Sequence, residues 1–120
     1  MSVLEDALRL SREGDVDGAA RLLRDARAAG PLPDAALTLL FQLVTPDDEA
    51  VALAGEGVDG ARTDLARSGW ALRRGLLHLA RAHRDMALAD LQLVMKLKAH
   101  EGHVDQARVA LLRVAQLPKR

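Results

Sequence analysis

Apolar residues recur along the chain at helical spacing. Ala19 and Leu23, Ala61 and Leu65, and Ala107 and Leu111 each stand four apart, so each pair shares one helix face. The small residue admits a neighbouring helix and the large one fills the gap. Between residues 59 and 83, Leu65, Leu72, Leu76 and Leu79 fall on one side together with His83 and predict the buried face. Arg67, Arg74, His78 and Arg81, separated by 7, 4 and 3 residues, form a narrow stripe opposite, flanked by Trp70. Together with the chain breakers this patterning predicts helices near 2–12, 16–29, 34–44, 47–56, 59–83, 86–100 and 104–117. Stops fall at Gly30-Pro31-Leu32-Pro33, Thr45-Pro46, Gly57 and Gly102. The 59–83 segment reads equally as two helices broken near Ser68-Gly69.

The pattern also repeats. Glu13-Gly14-Asp15-Val16-Asp17-Gly18-Ala19 returns as Glu101-Gly102-His103-Val104-Asp105-Gln106-Ala107, and a shortened copy runs Glu56-Gly57-Val58-Asp59-Gly60-Ala61. The valines lie 42 and then 46 residues apart, within the range of helical-hairpin arrays. Gly14, Gly57 and Gly102 suit the left-handed position that closes a helix. Asp17, Asp59 and Asp105 suit the start of the next one, where a carboxylate opposes the positive end of the dipole. The three turns are therefore expected to be equivalent corners between helices, with Ala19 and Ala107 where two helices touch.

The first copy resembles the tetratricopeptide repeat. Gly14-Asp15-Val16-Asp17-Gly18-Ala19 is similar to that family's turn into its second helix, followed by Ala19, Leu23, Ala26 and Pro31 in the family's small-large-small-Pro spacing. Ala7 and Leu10 match its first-helix packing positions, and the third copy matches through Leu91, Val94, Met95, Ala107, Leu111 and Val114, with Lys98 where an aromatic is usual. The likeness is strongest over residues 3–31 and 91–118 and departs from the family in the middle copy. It implies a right-handed stack of antiparallel helix hairpins, six or seven helices, that binds a protein or peptide on its surface. It implies no chemistry.

Composition changes this picture little. A chain of 120 residues suits one domain spanning 1–120, and its wealth of Ala, Leu and Arg, with Phe41 and Trp70 as the only aromatics, predicts an all-α fold. Without cysteine there are no disulfides, thiolate metal sites or cysteine nucleophiles. No window reaches the ~18 apolar residues of a spanning helix. Glu5 and Asp6 near the N-terminus argue against a signal peptide, so a cytoplasmic protein without membrane contact is expected.

Charge adds more. The formal net charge is zero, yet residues 1–60 hold twelve acids against five bases and residues 61–120 hold five acids against twelve bases. An acidic N-terminal half and a basic C-terminal half would let two copies associate as a homodimer. The same basic half raises a second reading, a small regulator contacting nucleic acid through the Arg-rich helix 59–84; overall neutrality and the acidic first half weigh against it.

Catalytic and metal patterns are missing from the sequence. His100-Glu101-Gly102-His103 has a spacing of three where a helical zinc motif needs four, and His78 and His83 point to different faces. Ser2, Ser11 and Ser68 sit in no nucleophile elbow. Asp47-Asp48-Glu49 is accounted for as a helix N-terminus. The expectation is a non-catalytic interaction module with no cofactor and no metal, whose candidate partner-binding residues are Arg67, Trp70, Arg74, His78 and Arg81.

Overall fold

The computed structural model describes residues 2–118, and every regular element among them is an α-helix, seven in all. They divide between two units, one ending at Thr45 and the other beginning at Pro46.

The first unit holds α1 (Val3–Arg12), α2 (Val16–Ala29) and α3 (Asp34–Leu43). Ser2 caps α1: its Oγ accepts from the Glu5 amide at 3.1 Å and donates to Glu5 Oε1 at 3.2 Å, satisfying one of the orphan amides of the first turn. Gly14 ends the helix with φ +87°, and the Asp15 amide folds back onto the Leu10 carbonyl at 2.9 Å. Asp15, rather than Asp17, then caps α2 by accepting from the Gly18 amide at 2.9 Å. Gly30 and two prolines stop α2, and α3 follows. Ala7, Ala19 and Leu23 are fully buried where α1 and α2 pack, and Ala36, Leu37 and Leu40 continue that core into α3.

The second unit holds α4 (Asp48–Gly60), α5 (Asp64–Ala80), α6 (Arg84–Leu97) and α7 (Glu101–Ala115). Helix α5 is its axis, touching the other three, while α6 also packs on α7. The Thr63 hydroxyl caps α5 by accepting from the Ala66 amide at 3.1 Å, and the helix runs unbroken through Ser68 and Gly69.

Three expectations are corrected here. Gly57 does not stop a helix: α4 continues to Gly60, and the break falls at residues 61–63. Gly102 lies in the first turn of α7, which begins at Glu101 under a His100 cap. The three glycines therefore do not make equivalent corners, and the left-handed positions between α5 and α6 and after α6 belong to Ala82 (φ 57°) and Lys98 (φ 49°). The buried face of α5 is also turned. Leu65 and Leu76 are exposed and so is His83, whereas Ser68, Trp70, Ala71, Leu72, Gly75 and His78 are buried. The cause is close approach: a Cβ on Gly75 would stand 3.0 Å from Leu91 Cδ2 of α6, so small residues mark the line where helices meet. Among the described residues no helix is long and apolar enough to cross a membrane.

Candidate functional site

The stripe is buried at His78, half-buried at Arg67 and Arg74, and exposed at Arg81. Arg74 makes a bidentate pair with Asp90 of α6, its Nε donating to Oδ2 at 2.9 Å and its Nη2 to Oδ1 at 2.8 Å. Asp90 is itself buried, so the fork of the guanidinium supplies the partner that a desolvated carboxylate requires. That hydrogen bonding raises the Arg74 pKa against the opposing effect of burial, and Asp59 of α4 adds attraction. His78, also buried, brings Nε2 to 3.9 Å from Asp90 Oδ2. Its Nδ1 is enclosed without a hydrogen-bond partner. Burial pushes the His78 pKa below its ordinary value of 6.5; Asp90 pulls the other way, and Arg74, His83 and Arg81 add to the lowering.

Trp70 is 1% exposed. A Cβ on Gly57 would fall inside its indole ring, so the missing side chain of α4 is the space the indole occupies. The Arg73 guanidinium covers the ring at 4.4 Å from its centre. Arg81 reaches Asp48 at the start of α4 at 2.6 Å, and Arg67 donates to the Ala61 carbonyl at 3.4 Å and lies 3.8 Å from Asp64. Between Asp48 and Gly60, α4 carries acids and no base. The opposed charges of the two sequence halves thus meet within this unit, where acidic α4 lies along arginine-rich α5. Of the five candidate residues, Trp70 and His78 are buried, whereas Arg74, Arg81 and Arg67 keep 26%, 33% and 39% of their side-chain surface in solvent.

A second polar contact joins α5 to α7. Ser68, fully buried, shares a 3.0 Å hydrogen bond with His103 Nδ1. Burial, His100 and Arg73 lower the His103 pKa. A serine hydroxyl with no exposed surface offers no approach to a substrate, so the contact fastens helices. The two residues stand 35 apart in sequence, and no local pattern announces the pairing. Among the described residues no group of three His, Asp or Glu side chains is placed to hold a metal ion.

Two depressions open on the surface of the second unit. One, of about 570 Å³, lies at the α5–α6 turn between residues 81–86 and Pro118 and mixes basic and acidic side chains. The other, of about 330 Å³, runs between α5 and α7, floored by Leu76, Val109 and Ala110 and edged by Asp105, Gln106 and Arg113. Leu76 and Val109 are exposed, 38% and 55%, and Leu112, also on α7, reaches 66%. This groove was not anticipated from sequence. A helix face bearing Val109 and Leu112 reads as core until the neighbouring helices are placed.

Searches against protein-family models, characterised proteins and solved structures find no match to this chain.

Proposed function

We propose that this chain is a non-catalytic protein–protein interaction module, a tetratricopeptide-like stack of helix hairpins that binds a protein or peptide on its helical surface. The observation that carries the reading is the α5–α7 groove, where two large apolar side chains, Leu76 and Val109, stand exposed between polar edges. Protein-binding patches have this anatomy of apolar centre and polar rim. The burial of Ala7, Ala19 and Leu23 in α1–α2, and of Leu91, Val94, Ala107 and Val114 in α6–α7, supports the hairpin reading, since these are the packing positions of the resemblance. In this account the arginine stripe braces the wall of the groove. The occupant is a segment presenting an apolar side chain flanked by an acid and a base, to meet Arg113 and Asp105.

A nucleic-acid contact through the Arg-rich helix draws no support from the geometry, because Arg74 and Arg81 are already matched to Asp90 and Asp48. The test is selection of a displayed helical-peptide library on the whole protein. Enriched peptides should carry an apolar stripe and lose binding to Leu76→Glu. Absence of enrichment, or binding indifferent to that change, contradicts the reading.

A further inference from the structure

The exposed face of α7 has an internal symmetry. At 100° per residue, Asp105, Gln106, Leu112 and Arg113 all lie within roughly 60° of Val109, so they share its face. Asp105 precedes Val109 by four residues and Arg113 follows it by four, placing opposite charges about 6 Å to either side of an exposed apolar centre. Leu76 of α5 borders that centre on one side, while Leu112 extends the apolar surface of α7 itself. A face with this order is complementary to its own copy turned end for end.

We propose that two copies of this chain pair through α7, antiparallel about a two-fold axis at Val109, with Asp105 of each copy facing Arg113 of the other. The inference rests on the reading of the α5–α7 groove as a protein-binding surface and names its occupant as a second copy. An isologous contact repeats every interaction twice, so the one unlike pair becomes two ion pairs flanking a central Val109–Val109 contact. Like charges would face each other in a parallel arrangement, Asp105 against Asp105 and Arg113 against Arg113, which disfavours that alternative. Arg108 already lies 3.3 Å from Asp105 within the chain. Both side chains are more than half exposed, and a carboxylate has a second oxygen, so Asp105 can accept from both arginines. A single helix pair with its flanking leucines lies at the small end of stable interfaces, so association in the micromolar range is expected.

Sedimentation equilibrium of the full chain across that range tests the pairing. The wild type should fit a monomer–dimer equilibrium. Val109→Glu should abolish the dimer, and Asp105→Arg and Arg113→Asp should each weaken it about tenfold through like-charge juxtaposition. The double exchange of Asp105→Arg with Arg113→Asp rebuilds the unlike pairs and should bring the constant back to within about threefold of wild type. The three positions changed here, Asp105, Val109 and Arg113, are exposed, and a circular-dichroism melt of each variant confirms that its fold is retained. A wild type that stays monomeric, a dimer that survives Val109→Glu, or a double exchange no better than the single ones overturns the proposal. Peptide selection on the groove is read separately, so a monomeric protein that still enriches Leu76-dependent peptides refutes the second copy and leaves the groove reading standing.

Discussion

Gly14 and Gly57 head copies of the same sequence motif and are used for opposite properties. At Gly14 the backbone takes φ +87°, nothing stands near the missing side chain, and the residue ends α1 by being able to turn left-handed. At Gly57 the backbone is ordinary helix, and it is the absent Cβ that counts, because the Trp70 indole occupies that space. Gly102 resembles neither: it sits in the first turn of α7 beside the His100 ring that caps it. A repeated motif fixes a local conformation only where local forces dominate. In the first unit, capping by Ser2 and Asp15 leaves the turn nothing to compete with. In the second, burying the one tryptophan against α4 outweighs the modest preference of a lone glycine to end a helix.

Alanine at each glycine separates these uses. Gly57→Ala should be the most damaging, about 3 kcal/mol in urea unfolding, since the indole is held between helices and cannot withdraw. Trp70→Leu in the same chain should relieve part of that loss; strict additivity of the two changes would show that Gly57 and Trp70 are not coupled. Gly14→Ala should cost about 1 kcal/mol, the left-handed penalty partly offset by reduced freedom of the unfolded chain. Gly102→Ala should cost least, under about 1 kcal/mol, because the atom it would crowd is the end of a movable His100 side chain and only the cap is at stake. A larger loss at Gly14 than at Gly57 would reverse the assignment of roles.

Acid should divide the two units. All four histidines lie between residues 78 and 103, and both His78 and His103 have pKa values lowered by burial. The unfolded chain therefore takes up protons first, near pH 6.5, and the stabilisation from keeping these rings neutral is present above that pH and lost as pH falls through the folded-state values. Amide exchange should show α5–α7 losing protection between neutral and mildly acidic pH while α1–α3 change little. Replacing both histidines by Gln should flatten the response; equal acid sensitivity in α1–α3 would place its cause elsewhere.

Much of this architecture was readable from local chemistry. Helices α1, α2 and α3 begin and end within a residue of expectation, because Ser2, Gly14, Gly30 and the prolines act on their immediate neighbours. The close packing at Ala19 and Ala107 followed from small residues at helical spacing. The arginine stripe was legible as a stripe, but its direction was not. Spacing places Arg74 on a face and says nothing of Asp90 sixteen residues on, nor of the acids of α4 lying alongside. The inward turn of α5 was hidden for the same reason: Leu65 looks more buried than Ser68 until α7 brings His103 to the serine. The α5–α7 groove could emerge only when Leu76 and Val109, 33 residues apart, were placed side by side.

The Arg74–Asp90 pair fastens α5 to α6. Urea unfolding of Arg74→Gln tests it most directly. Removing the guanidinium leaves Asp90 buried without its charged partner, and the account predicts a loss of about 3 kcal/mol. A variant within about 0.5 kcal/mol of wild type, the range of an ordinary surface substitution, would contradict it and return Arg74 to the solvent-facing role that its spacing first suggested.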